Sequence, residues 1–154
     1  MAETTHKRVG FSGRTEVAPV DQSHQAFRVL QAGFVALPTL AGLDKFLNVL
    51  TNWDAYLAPQ IARLLPMSGH AFMLMVGVIE MGAGLLVAIR PRLGAYVVAG
   101  WLACIVVNLL MQGAHFDVAL RDVGLMVGAL ALGRLSQTHD VRRVTRTSWA
   151  RTSW

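Results

Sequence analysis

The hydrophobic positions of this chain cluster into four long runs that are separated by short polar or charged stretches, at about residues 26–43, 71–89, 93–111 and 116–135. Each run is close to the length at which a helix rising ~1.5 Å per residue crosses a hydrocarbon core of ~30 Å. A helix of a soluble protein would instead alternate an apolar stripe with a charged face. The pattern predicts an all-α integral membrane protein whose transmembrane helices, four in number, form a bundle.

Between the first two runs, residues 48–66 have a different composition. Trp53 and Tyr56 are aromatic residues of the kind that concentrate at membrane interfaces, and Pro59 interrupts helical regularity. Apolar residues then share one helical face opposite Arg63. The segment is typical of a short helix that lies along the membrane surface.

Basic residues predict the orientation of the bundle. They lie in a polar N-terminal segment (1–25), in the turn after the second run, and at or beyond the end of the fourth run (136–154). With four crossings all three regions face the same side, and the positive-inside rule makes that side the cytoplasm. The N-terminal segment is therefore predicted to be a flexible cytoplasmic tail, and the C-terminal segment a basic cytoplasmic tail, of an inner-membrane protein.

The net charge of +5 follows from this topology and from attraction to anionic lipid headgroups. Binding to nucleic acid is not expected, because the sequence predicts no folded basic surface. In the C-terminal tail, Trp149 and Trp154 end two copies of an Arg-Thr-Ser-Trp motif. Tryptophan beside arginine suits the inner headgroup layer, so both residues are predicted to be interfacial.

Polar residues within the predicted spans gather toward the outer half of the bundle. Glu80 lies near the middle of the second span, where a lone ionised carboxylate would be costly. It must therefore be neutral, paired with a cation such as Lys45 or Arg121, or open to a water-filled cavity. The residues predicted to form a polar cavity are Asp44, Lys45, Glu80, Asn108, Arg121 and Asp122.

Two interpretations of this cluster stay open. Buried ion pairs can simply hold helices together, and Asp117 with Arg121 is an i,i+4 pair that could occur on any helix. Alternatively, the cluster forms a cavity for a small polar or quinone-like molecule, with Glu80 as proton acceptor or hydrogen-bond partner. Convergence of polar groups from all four spans favours the cavity.

Small residues predict close helix packing. Gly77 and Gly84 flank Glu80 on the second span, and Gly124 with Gly128 forms a small-xxx-small face on the fourth. Because Arg121 precedes Gly124 by one turn, this face is expected to point into the bundle.

Redox and metal motifs are sparse. The single cysteine, Cys104, cannot form a CxxC dithiol or a disulfide within the chain. His70 and His115 lie near outer helix ends and could share a metal or haem only if the fold brought them face to face. Neither has a carboxylate or cysteine at ligand spacing, so no intrinsic metal or cofactor is expected.

Four stretches carry a resemblance to a known family: Ala41-Gly-Leu-Asp-Lys-Phe46, Val78-Ile-Glu-Met-Gly-Ala-Gly-Leu-Leu86, Arg90-Pro-Arg-Leu-Gly-Ala95, and residues 117–128. Together they resemble the DoxX family of small bacterial four-helix membrane proteins, over about residues 27–135. The family is named after a membrane subunit of a thiosulfate:quinone oxidoreductase, and other members are thought to be membrane partners of redox or thiol-stress proteins. The resemblance implies that Lys45 and Glu80 are the functional positions. The lone Cys104 departs from any member that works through a cysteine pair.

Two functional hypotheses follow. In the favoured one, the chain is a non-catalytic small subunit or partner of a quinone-linked electron-transfer complex, docks a larger redox protein and contributes to a quinone cavity. In the alternative, it is an independent small-molecule carrier or membrane enzyme that uses the cavity around Glu80.

Overall fold

The protein is described by a computed structural model, which covers the backbone of residues 20–149 and the side chains of residues 22–137. Within that range the chain is all-helical and contains no strand. The all-α prediction is therefore confirmed for the described residues. The elements, in chain order, are α1 (Val20–Leu47), a one-turn 3₁₀ helix (Trp53–Tyr56), α2 (Pro59–Ala62), α3 (Gly69–Ile89), α4 (Pro91–Gln112) and α5 (Phe116–Trp149).

Three of the long helices are long and apolar enough to cross a membrane, over Gln22–Leu47, Gly69–Ile89 and Pro91–Gln112. These helices indicate a membrane protein. The fourth predicted span coincides with α5, which has the required length but carries Asp117, Arg121, Asp122 and Arg134. α5 nevertheless packs extensively on α4 and also contacts α1, while α1 packs on α3. Its charged first turns therefore belong to a helix that is covered in part by the other helices.

Two predicted boundaries differ from the structure. α1 begins at Val20, inside the predicted tail 1–25, and α5 continues to Trp149, inside the predicted tail 136–154. No glycine or proline follows Pro19 before residue 26, or lies between 135 and 149, so nothing in the sequence stops either helix there. Residues 1–19 and 150–154, including Trp154, lie outside the described residues, as does the side chain of Trp149.

Local sequence signals set the ends of α3 and α4. Ser68 caps α3, since its side chain accepts a hydrogen bond from the backbone N–H of Ala71 at 3.2 Å. α4 starts directly after Arg90, with Pro91 in its first turn, where the missing N–H has no helical partner to lose. It ends at Gly113, whose φ of 73° is a left-handed conformation that glycine adopts readily. The result is a tight α3–α4 hairpin.

Glycines allow α1 and α3 to approach at backbone distance. A Cβ atom placed on Gly42 would lie 2.5 Å from the carbonyl oxygen of Gly77, and one placed on Gly77 would lie 2.6 Å from the carbonyl oxygen of Gly42. Gly84, two turns further along α3 on the same face, packs against Thr39 and the carbonyl of Val35. Gly77 and Gly84 therefore lie where the α1–α3 contact is closest, a role that the sequence predicts for them.

The glycines of α5 differ from each other. Gly128 faces the ring of Phe34, which belongs to the apolar core together with residues such as Val87, Val98 and Leu132. Gly124 is exposed, and a Cβ added there would meet nothing within 4 Å. The expectation that the Gly124 face points into the bundle is therefore wrong for Gly124. The physical reason is the rotation of α5 about its axis, which directs Gly128 toward Phe34 and leaves Gly124 exposed.

Candidate functional site

Lys45 and Glu80 form a buried ion pair between α1 and α3. The distance from Lys45 Nζ to Glu80 Oε2 is 2.6 Å, and the two residues are only 4% and 6% exposed. Side chains on a helix lean toward its N-terminus. In the antiparallel pair α1 and α3, the Lys45 side chain therefore leans toward the N-terminus of α1 and the Glu80 side chain leans toward the N-terminus of α3. The two side chains lean in opposite directions along the helix axes and meet. Of the cations that the sequence offers, it is Lys45 that pairs with Glu80.

Trp53 covers this ion pair. Lys45 Nζ lies 3.8 Å from the centroid of a Trp53 ring, a cation–π contact. Trp53 Nε1 in turn donates a hydrogen bond of 2.7 Å to the carboxylate of Asp44. The sequence predicts Trp53 to be an interfacial aromatic residue, and its part in the site is missed because it depends on how the chain turns after α1.

Asp44 holds that turn in place. Its carboxylate accepts hydrogen bonds from the backbone N–H groups of Val49 and Leu50, at 3.0 and 3.1 Å, as well as from Trp53. Asp44 is among the residues predicted to form the cavity, but it does not line it. Its oxygens are already used by the chain leaving α1, so Asp44 is a positioning residue that places Trp53 over Lys45.

Residues 53–62, named here the cap segment, are fastened to the C-terminal end of α4. Asn108 accepts a hydrogen bond from the N–H of Ala58 at 3.0 Å and donates one to the carbonyl of Tyr56 at 2.7 Å. Gln112 donates to the carbonyl of Ala55 at 2.6 Å. Ala58 is fully buried. The segment predicted to lie along the membrane surface is thus tied to the bundle by side chains of α4.

A cavity of about 750 Å³ lies between the long helices and the cap segment. Its walls are mainly apolar and include Phe34, Val76, Ile105 and Leu125. Of the predicted polar residues, Lys45, Glu80, Asn108, Arg121 and Asp122 line it.

The two polar cavity residues of α5 differ in burial. Asp122 is half-buried, whereas Arg121 is exposed. Among the described side chains, no ion pair joins Asp117 to Arg121. The interpretation of Asp117 and Arg121 as an i,i+4 ion pair on the surface of α5 is therefore not supported.

Trp101 is a cavity residue that the sequence reasoning missed. Its side chain lines the cavity, and its Nε1 atom is buried without a hydrogen-bond partner. A signal was present, because tryptophan in membrane helices concentrates near the interfaces and Trp101 lies in the middle of an apolar run. Cys104, one turn further along α4, also lines the cavity.

The two histidines considered as metal ligands have separate partners. His70 Nδ1 lies 3.2 Å from a carboxylate oxygen of Asp54 at an exposed position. The ring of His115 stacks on Tyr56 with a centroid distance of 4.6 Å, and its Nδ1 lies 3.3 Å from Gln112. Within the described part of the chain, no group of three or more histidine, cysteine or acidic residues could hold a metal ion.

Replacing Asp44 by alanine is expected to loosen the turn after α1. The backbone N–H groups of Val49 and Leu50 and the indole N–H of Trp53 would lose their acceptor. This loss should lower the free energy of unfolding by about 1–2 kcal/mol. Amide hydrogen exchange at Leu50 should accelerate, and the fluorescence spectrum of Trp53 should shift as the ring leaves Lys45. Asp117→Ala, an exposed carboxylate on α5, is the matched control and should change neither measurement. Unchanged exchange at Leu50 in Asp44→Ala would contradict the positioning role.

The site combines an apolar chamber with one buried ionic anchor and several amide and indole groups. Such an arrangement can hold an amphipathic molecule, with its hydrocarbon part against the walls and a polar group at the Lys45–Glu80 pair. No family model, no curated protein and no solved structure matches this chain.

Proposed function

We propose that the chain is a DoxX-like protein of the bacterial inner membrane that crosses the bilayer four times, with both termini in the cytoplasm. Support for the fourth crossing comes from the packing of α5 on α4 and from the uncharged stretch between residues 123 and 132. Arg90 and Arg92 in the α3–α4 hairpin, and Arg134 near the inner end of α5, support the orientation. The cap segment then lies at the outer surface.

We further propose that the cavity binds a quinone, and that the chain serves as a non-catalytic small subunit of a quinone-linked electron-transfer complex. The observation that carries this proposal is the apolar chamber of about 750 Å³ with the Lys45–Glu80 pair in its wall. The volume falls in the range of ~300–1,000 Å³ that is usual for small-molecule sites. A quinone offers an apolar ring and tail to the walls and carbonyl oxygens to a donor such as the Lys45 ammonium group.

An accessory, non-catalytic role is favoured by the scarcity of redox-active residues in the sequence. Cys104 is the single cysteine, so no dithiol within the chain can exchange electrons with the quinone. Electrons would then reach or leave the quinone through a larger partner protein. Exposed apolar side chains on the long helices, such as Leu85, Val107 and Val127, offer contact surface to lipid and to such a partner alike.

A second candidate function, an independent carrier or enzyme with Glu80 as its proton-handling group, is favoured by one observation. Asp122 places a second carboxylate in the wall of the cavity that Glu80 and Lys45 also line. Two carboxylates that share one cavity can take up or release a proton as a ligand enters or leaves. In this case Glu80→Gln should abolish uptake or turnover while the bundle still folds.

Gentle purification tests the proposal. The chain, extracted from its native membrane in a mild detergent, should carry about one quinone per chain in its organic extract and should co-purify with a redox protein identified by mass spectrometry. The double variant Lys45→Met/Glu80→Met should lose the quinone, because it removes the polar anchor and keeps the volume. Gly124→Ala, on the exposed face of α5, should retain it. Wild-type protein that purifies free of quinone would refute the binding proposal, and bound quinone without a redox partner would favour the independent carrier.

A further inference from the structure

Both ends of the cavity are covered by protein. At the end nearer the α3–α4 hairpin, its floor consists of Phe34, Ala83 and Val98, which belong to the buried apolar core. At the other end lies the cap segment, which contributes wall residues such as Trp53 and is fastened to α4 by hydrogen bonds. A molecule that enters the cavity must therefore pass between two helices or past the cap segment.

The contact between α1 and α5 is less extensive than the other contacts of these two helices. α1 packs far more on α3, and α5 far more on α4. Near the floor of the cavity, Phe34 of α1 meets Gly128 of α5, where an added Cβ would lie 3.2 Å from the ring. Arg121 lies on the same face of α5, two turns before Gly128, and Leu37 follows Phe34 by three residues on α1. Leu37 and Arg121 therefore border the gap between α1 and α5 beyond the Phe34–Gly128 contact.

Leu37 and Arg121 each line the cavity and are also exposed, Leu37 to 52%. A side chain that belongs both to the cavity wall and to the outer surface marks a place where these surfaces meet. The wall residues of α3, by contrast, are mostly buried. Leu50, after α1, and Cys104, on α4, also combine exposure with a place in the wall. The gap beside Leu37 is distinguished from these two positions because both helices that border it supply an exposed wall residue.

From these observations we infer that the gap bordered by Leu37 and Arg121, named here the portal, admits the ligand laterally from the bilayer. Leu37 lies inside the membrane-spanning part of α1, Gln22–Leu47, so the portal faces hydrocarbon. The inference rests on the proposed function, which makes α1 and α5 transmembrane neighbours around a quinone site, and it deepens that function by naming the ligand class. The ligand is a molecule dissolved in the bilayer, such as a quinone with a hydrocarbon tail, and a solute dissolved only in water has no access by this route.

Reversible obstruction of the portal tests the inference. Leu37→Cys, in a Cys104→Ser background that leaves one thiol, is labelled with benzyl methanethiosulfonate in nanodiscs. Stopped-flow quenching of tryptophan fluorescence by decyl-1,4-benzoquinone then gives the association and dissociation rates, since Trp53 and Trp101 line the cavity. An obstacle on the path raises the barrier to entry and to exit alike, so both rates should fall roughly tenfold while Kd stays unchanged. Removing the label with a reductant, which is washed out before quinone is added, should restore both rates.

Labelled Leu40→Cys in the same background is the matched control. Leu40 is an exposed leucine of α1 that does not line the cavity, so its label should change neither rate. Two further labelled proteins test the other routes: Leu50→Cys in the same background obstructs the path past the cap segment, and wild-type protein labelled at Cys104 obstructs the path beside α4. Neither should slow binding as much as the label at position 37.

The outcomes separate the two proposals. Rates that are unchanged by the label at position 37, or that fall more with the label at position 50 or 104, would overturn the portal and leave quinone binding standing. A weaker affinity with an unchanged association rate would also overturn it, because Leu37 would then contact the ligand without bordering its path. Wild-type protein that binds no quinone would refute the proposed function and this inference with it.

Discussion

Replacing either Lys45 or Glu80 by methionine will lower the free energy of unfolding by about 3–5 kcal/mol, because each single change leaves an uncompensated charge in a buried site. The pair is 4% and 7% exposed at its side chains, and its charged atoms are 2.6 Å apart. The double variant Lys45→Met/Glu80→Met removes both charges and fills a similar volume, so most of the stability should return. Reversible unfolding in mixed micelles measures all four proteins, and the double-mutant cycle isolates the coupling energy.

The exposed contact between His70 and Asp54 is the matched control for this cycle. Its side chains are 56% and 43% exposed, so solvent screens the interaction and its cost should stay below about 1 kcal/mol. If the single variants of Lys45 and Glu80 were no more destabilised than His70→Ala, the Lys45–Glu80 pair would not stabilise the fold as a buried ion pair. If the loss of unfolding free energy in the double variant equalled the sum of the losses in the two single variants, the two charges would not depend on each other.

The long helices could be predicted because their apolar runs match the thickness of a bilayer, a constraint that acts on each helix separately. α1, α3 and α4 include the predicted spans 26–43, 71–89 and 93–111. The clustering of polar groups could be predicted in the same way, since depth along a helix follows from residue number alone. Lys45, Glu80 and Asp122 therefore reach one cavity, as expected from their depths.

The rest depends on how each helix is rotated about its axis, which a run of apolar residues does not specify. Pairing of Glu80 with Lys45 and the outward position of Gly124 are both consequences of rotation. The roles of Asp44 and Trp53 depend on the turn after α1, where a side chain binds backbone N–H groups five and six residues further on. Such contacts leave no periodic pattern in the sequence. Trp101, by contrast, could have been recognised from the sequence, because a tryptophan in the middle of an apolar run, away from the membrane interfaces, is unusual.

The glycine pair at the α1–α3 contact links helix packing to the site. Gly42 faces Gly77 at backbone distance, and the same contact places the ion pair: a Cβ on Gly42 would lie 3.1 Å from the Cβ of Glu80, and one on Gly77 would lie 3.2 Å from the Cβ of Lys45. Any side chain on Gly77 must push α1 away, since the obstacle is a backbone carbonyl that cannot rotate aside. Separation of the helices would also lengthen the Lys45–Glu80 contact.

Replacing Gly77 by leucine is therefore expected to lower the free energy of unfolding by about 3 kcal/mol or more, the upper range for overpacking, and to abolish quinone binding. Gly82→Leu, on the same helix, is the matched control: a Cβ there meets nothing within 4 Å, so stability and binding should be retained. Unfolding in mixed micelles and titration with decyl-1,4-benzoquinone measure the two effects. A Gly77→Leu protein as stable as Gly82→Leu would mean that α1 and α3 can pack further apart without loss, and the ion pair would then owe its geometry to Trp53 and the cap segment alone.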